Sequence, residues 1–399
     1  MGDPADSSTS ILTRNCHAGS SHSSATLESG IVTLDSSHSS PKMLGRSLGR
    51  LFSGASGSGP VLGCGSNVVD IISRVRALPQ AGEKGYFEDP EVLVNARIVG
   101  GVTLNHLAWA SALGVPTGLF AFQGTDDNGV MVRNKMDDLG ISTEHLQVGP
   151  QYVTSVSHIF LDTTGERCIM MAPASTTKIN AAAMAEHFAP AVPGASIITS
   201  EISQVPLAGV GALFDAAAAA GKLSMLDVDV PPSVAVGEAG LGSMDEVHSV
   251  LERADVLKPT LSAAVELLAA EHGVTDATPL AEVAAAMAAR YGSKLVVVTD
   301  GSRGSGLWNA AAGGVEQPCF GGVQQQDATG AGDAYFGGLV AGLHAWGLPE
   351  DAAGMSRLAR VASAAGAACA EVLGALPVEG VSHARMLQLA ADVGNLQVR

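Results

Sequence analysis

The 399-residue chain is expected to fold as an α/β protein on a doubly wound, mostly parallel sheet with helices on both faces. Three observations predict this. From Val61 onward, stretches with strand character alternate with helical ones, the order that builds parallel sheets. Lys294–Thr299 is a near-continuous apolar run, as strands covered on both faces show. Glycine turns open helices at Gly100-Gly101 and Gly330–Gly332, where a backbone can approach a ligand closely.

Composition bounds the function. Apolar residues make up 46% and charged residues 15%, enough to bury a sizeable core, and the length suits one large α/β domain or two ordinary ones. No apolar run reaches the roughly 20 residues a membrane-spanning helix needs, so the chain is expected to be soluble and without a membrane partner. Lys plus Arg number 22 against 39 Asp plus Glu, a formal charge of −17, which argues against nucleic acid or an anionic membrane as partner. A nucleotide is still compatible, because magnesium and backbone amides handle phosphate locally. The five cysteines, at 16, 64, 168, 319 and 369, show no Cys-x-x-Cys pair and fit buried thiols in a reducing compartment.

Taken in order, residues 1–59 hold sixteen serines and no apolar period, and they read as a disordered Ser/Gly-rich segment. Its basic, apolar piece Met43–Phe52 resembles part of a transit peptide, although Asp3, Asp6, Glu28 and Asp35 are out of place in one. The expected location is cytoplasmic, or an organelle if the segment is an address. Residues 60–399 form the folded domain. Val61–Ile72 reads as strand, glycine turn and second strand, with Asp70 inside the run Val68–Ile72. Such a carboxylate has either a partner or function, or a place on an edge strand facing water. Gly100–Asn105 opens a helix to Gly114, and Asn105 offers both a donor and an acceptor. Gly85–Val99 and Val153–Met171 read as extended, with a hairpin turn at Asp162–Arg167 whose Glu166 is either a rim residue or a solvated tip. Further strands are read at Ile197–Ser200, Leu223–Asp229, Ala254–Thr260 and Lys294–Thr299, and helices at Ala208–Ala220, from Leu261 and at Ala362–Ala370.

Asp327-Ala-Thr-Gly-Ala-Gly-Asp333 reads as a strand end, a turn and a helix start. The free amides and helix dipole there suit an anion. Asp333 is either an N-cap or a general base beside that anion site.

This stretch resembles the second signature of the ribokinase-like (PfkB) family of carbohydrate and nucleoside kinases, and Gly100–Asn105 resembles its first. No Gly-x4-Gly-Lys-[Ser/Thr] loop is present. The resemblance covers residues 61 to 375. It implies a small β lid over the sugar from strands within 84–101 and 151–172. It implies Asp333 as catalytic base, with Gly330, Ala331 and Gly332 as anion hole. Asp70, Gly100, Gly101, Asn105 and Glu166 would contact substrate. Thr299, Gly301, Gly304 and Ser363 would lie along the nucleotide. ATP and Mg2+ are implied, with K+ in some members, here at Asp327, Thr329 and the Gly374 region. The implied reaction is ATP-dependent phosphorylation of a primary hydroxyl of a sugar or nucleoside. The oligomeric state stays open; an exposed lid edge could pair two copies into a homodimer.

The chain departs from the family pattern at Lys258-Pro259, where Asn-x-x-Glu normally follows and Thr260 and Ala263 stand instead. Glu266, on the same helix face, is a candidate substitute. The departure motivates an alternative, a pseudokinase that binds a ligand or acts as a scaffold without turnover. A phosphorylated sugar would need Arg or Lys in the pocket, and the sequence places none. A dinucleotide-binding dehydrogenase is excluded because Gly63-Cys64-Gly65 lacks the third glycine at its spacing.

Overall fold

In the computed structural model, residues 59–89, 96–164 and 166–391 are described. The segment read as a tail therefore lies outside them except for Gly59, as do Cys16 and the hairpin residue Gly165.

The chain runs β1 (Val61–Cys64), β2 (Val68–Arg74), β3 (Ala96–Gly100), α1 (Val102–Ala112), β4 (Thr117–Gln123), α2 (Asp127–Asp138), β5 (Ile141–Ser142), β6 (Leu146–Val148), β7 (Val156–Leu161) and β8 (Arg167–Ala172). After an irregular helical stretch come β9 (Ile197–Glu201), α3 (Leu207–Ala219), β10 (Leu223–Val228), α4 (Pro232–Val236), α5 (Met244–Arg253), β11 (Val256–Pro259) and α6 (Leu261–His272). The C-terminal part holds α7 (Leu280–Tyr291), β12 (Leu295–Thr299), β13 (Ser305–Asn309), β14 (Gly313–Gln317), α8 (Ala331–Trp346), α9 (Ala352–Ala370) and α10 (Val381–Ala391).

The main sheet has the order β14-β13-β12-β11-β10-β9-β1-β4-β5, with β6 beside β4. From β12 across to β5 every pairing is parallel, and β13 and β14 close one edge antiparallel. The core strands are apolar on both faces because both are covered. Helices α3, α5, α6 and α7 pack on one face, and α1, α2, α8 and α9 on the other. The winding reverses at β1, between β9 and β4. Crevices at the carboxyl ends of strands near such a reversal are where open α/β sheets take ligands.

A second sheet, β3-β2-β7-β8, stands apart. The expected lid segments supply β3, β7 and β8, but the sheet also takes β2, which brings Asp70 with it. Of the stretch Gly85–Val99 read as extended, residues 90–95 lie outside the described residues, 96–99 are strand, and 85–89 make one isolated bridge, Val75 to Phe87. Strand β8 is an edge, with Met170 and Met171 more than half exposed. Among the described residues, no helix is long and apolar enough to cross a membrane.

Candidate active site

Helices α1 and α8 bring the two glycine-flanked signatures together. They approach closely because Gly337 has no side chain: a Cβ there would lie 2.6 Å from the His106 carbonyl oxygen and from the Trp109 Cβ. That approach puts the Asn105 side chain against Asp333, with Nδ2 donating to Oδ2 at 2.8 Å. Asn105 Oδ1 is buried and has no partner, so it stays free to accept a hydroxyl. Asp70 faces the same point from the small sheet. A Cβ on Gly100 would lie 2.7 Å from Asp70 Oδ2 and 3.9 Å from Asn105 Oδ1.

The turn before α8 is held from behind. Gly330 caps the helix at φ 76°, and a Cβ there would lie 2.6 Å from Ala375 Cα. Trp109 Nε1 donates to the Ala375 carbonyl at 2.8 Å, fixing that backing loop to α1. Asp327 closes the other side by accepting from the amides of Thr329 and Gly374 at 2.9 and 3.0 Å. Burial alone would raise its pKa, but these hydrogen bonds and the nearby Arg167 hold it below the usual carboxylate value.

Two clefts flank the turn. The first, about 950 Å³, lies under the small sheet and is lined by Asp70, Arg74, Phe87, Glu166, Arg167 and Thr329 among others. Glu166 thus reaches the rim, its amide hydrogen-bonded to Asp162. Arg74 and Arg167 correct the expectation that no cation could be placed in this pocket. Five carboxylates line it too, so its local charge is acidic. The second cleft, about 380 Å³, opens at the carboxyl ends of β10 to β12 and is lined by Asp229, Lys258, Thr260, Thr299, Gly301 and Gly332. Thr299 and Gly301 therefore meet it. Gly304 instead backs onto the end of β14, and Ser363 bonds inward to Tyr335, whose hydroxyl donates to Ser305 at 2.8 Å.

Asp333 is buried, and burial pushes its pKa well up; the charges of Asp229 and Asp227 add to this, while Asn105 and Lys258 oppose it. Lys258 is fully buried, with Nζ 2.9 and 3.2 Å from the Asp227 oxygens. Burial would pull its pKa down, but Asp227, Asp229 and Asp333 more than reverse that and keep it protonated. Glu201 Oε2 accepts from the Thr103 amide and hydroxyl, both at 2.7 Å, and from Ser66 at 2.9 Å. It thereby caps α1 and ties down the loop after β1. Glu201, Asp227, Asp229 and Lys258 were not singled out from sequence. Their shared signal was position, each at the carboxyl end of a parallel strand.

The departure at Thr260 and Ala263 has a local cause. Thr260 is the N-cap of α6, accepting from the Ala263 amide, and the Ala263 side chain is in the core. The candidate substitute Glu266 is committed elsewhere: its two oxygens accept from the amide and hydroxyl of Ser233 at 2.6 and 2.8 Å.

The pfkB family carbohydrate kinase profile matches residues 67–379, from the loop after β1 to beyond the loop behind the Gly330 turn. The chain belongs to the pfkB family. Among curated relatives, ribokinase of Arabidopsis thaliana is 25% identical over 327 residues, 80% of this chain and 78% of that protein. Fructokinase of Klebsiella pneumoniae is 25% identical over 282 residues, 69% of this chain and 87% of that protein. Among solved structures, Arabidopsis thaliana ribokinase complexed with ribose and ATP superposes with a TM-score of 0.68 at 22% identity, covering 84% of this chain and 99% of that one. A ribokinase II of E. coli in complex with ATP and Mg2+ gives 0.65 at 20% identity, covering 83% and 98%. These likenesses establish the ribokinase fold for this pfkB chain, with a mostly parallel main sheet and a separate small one.

Proposed function

We propose that the chain is an ATP-dependent phosphotransferase acting on a primary hydroxyl of a sugar or nucleoside, with Asp333 as general base. The observation that carries this is the contact of Asn105 with Asp333 at 2.8 Å, beside an unused buried acceptor on Asn105. A hydroxyl held by Asn105 and Asp70 under the lid would have Asp333 within reach. Asp333 takes its proton as the oxygen attacks, and the amides of Gly330, Ala331 and Gly332 face the charge that develops. Phosphoryl transfer needs little beyond such placement and electrostatics. The relatives named above support ATP as donor, with Thr299 and Gly301 lining its cleft.

Magnesium is bound by one or two carboxylates together with substrate phosphates, and the Asp229 carboxylate lines the second cleft. The donor set therefore fits, and Asp229 would hold the ion, which neutralises phosphate charge. Asp327 keeps lone pairs beyond the two amides it accepts, so a monovalent cation beside Asp327 and Thr329 belongs to the proposal; comparing rates in potassium and sodium checks it. Two copies would pair through the free edge of β8, and the mass in solution of wild type against Met170→Lys tests that.

A thermal-shift panel of sugars and nucleosides, each with and without ATP–Mg, tests the reading, because ligands of the native state raise its melting temperature. At least one acceptor is expected to add to the shift given by ATP–Mg. A flat response across both classes would remove the support for a kinase.

A further inference from the structure

The strand Val256-Leu257-Lys258-Pro259 is buried throughout, yet it carries a lysine. The Lys258 side chain is 1% exposed and held by Asp227 alone among hydrogen-bond acceptors. A buried ion pair of this kind adds little to stability over well-packed apolar residues, since both charges must be taken out of water. Its position explains it better than stability does. A Cβ at Gly332 would lie 3.3 Å from Nζ, so the ammonium rests against the last residue of the turn, next to Asp333. Lys258 also lines the second cleft with Thr299 and Gly301, and it is the single cation there among the described residues. Two neighbouring cations are engaged elsewhere: Arg303 is bound to Asp300 and the Asp276 carbonyl, and Arg167 reaches across to Thr329. The family's Asn-x-x-Glu pair is missing on the adjoining turn, where Thr260 caps a helix and Ala263 is core.

We propose that Lys258 is a catalytic residue that shifts from Asp227 to the transferring phosphoryl group and stabilises its charge. The inference rests on the kinase reading above. In the step it serves, a bond forms from the acceptor oxygen to the γ-phosphorus, and the bond to the β–γ bridging oxygen breaks. The hydroxyl proton goes to Asp333, and Lys258 stays protonated and gives hydrogen bonds only. Asp227 is then the residue that holds the ammonium in waiting, and Gly332 is small so that it can come close.

The test uses the full chain and needs no acceptor. Melting temperature is measured with ADP–Mg and with the non-hydrolysable AMP-PNP–Mg, for wild type and for Lys258→Met/Asp227→Asn. The double change removes both charges, which avoids leaving one of them buried and unpaired. Wild type is expected to gain more from AMP-PNP than from ADP, and the folded double variant to lose that difference. A purely structural role would lower both curves equally. Where an acceptor is known, kcat is expected to fall about 100-fold or more, the usual loss for a donor to developing charge, with acceptor KM little changed. A folded variant that keeps both the difference and its kcat overturns the proposal, as does a wild type that gains no more from AMP-PNP than from ADP. Should the variant not fold, a crystal structure of wild type with ADP, Mg2+ and aluminium fluoride decides. Lys258 Nζ within about 3.2 Å of a fluoride is expected, and Nζ remaining on Asp227 alone overturns it. A wild type that phosphorylates nothing, yet shows the Lys258-dependent gain, supports this residue's role while overturning the wider reading.

Discussion

At Asp333 the fold holds a carboxylate where ionisation is costly. Burial raises its pKa, and Asp229 and Asp227 raise it further. The folded value lies above the unfolded one of about 3.9, so ionised Asp333 destabilises the native state. The stability of the protonated form is fully present below the unfolded value and is lost as pH rises through the folded one. Asp333→Asn cannot ionise, so it is expected to melt higher than wild type at alkaline pH, the gap closing toward pH ~4; an equal gap at every pH would contradict this. In the proposed mechanism the same shift sets the rate profile. A general base works as the carboxylate, so the rate falls as pH drops through the raised pKa. Asp229→Asn removes one of the charges raising it, so the acid limb should move to lower pH, and the need for free Mg2+ should increase. Rates measured against pH and Mg2+ check both, and a limb that stays in place would remove Asp229 from the electrostatics of the base.

Between elements, the site depends on how closely α1 and α8 lie. Gly337→Ala would place a Cβ against the His106 carbonyl and Trp109 and push the helices apart. Overpacking of this kind typically costs about 1–3 kcal/mol. Because the same contact aligns Asn105 with Asp333, turnover should fall along with the melting temperature, although neither residue is changed; a variant that loses stability but keeps wild-type kcat would show the alignment to be tolerant. The elements were largely legible in the sequence. The apolar run at β12 and the glycine-opened helices α1 and α8 have strong local patterns. What was not legible depends on long-range pairing. Strand β2 follows β1 after three residues, yet it pairs with β3 and β7 and carries Asp70 into the small sheet. Glu201, Asp227 and Lys258 read as polar residues at strand ends, and only the parallel register converges them. Glu266 looked available on its helix face, and Ser233, 33 residues earlier, takes both its oxygens.

For the whole molecule, the family match spans 67–379 and every described strand of the main sheet lies at β1 or beyond. A chain beginning at Gly59 is therefore expected to keep the melting temperature and any turnover of the full chain; a large loss of either would place residues 1–58 in the working structure. In the proposed reaction the cleft under the small sheet takes the acceptor and the strand-end cleft the nucleotide, with the Gly330–Asp333 turn between them. The missing Asn-x-x-Glu pair favours the alternative, a ligand-binding pseudokinase without turnover.

Turnover decides between them most directly. Transfer of phosphate from ATP to a panel of sugars and nucleosides should be measured for wild type and Asp333→Asn at saturating Mg2+. The account predicts at least one acceptor phosphorylated at a primary hydroxyl, and a loss of about 10²–10⁴-fold in the variant, the range a general base contributes. No product from any acceptor, or a variant keeping a tenth of the wild-type rate, would contradict it.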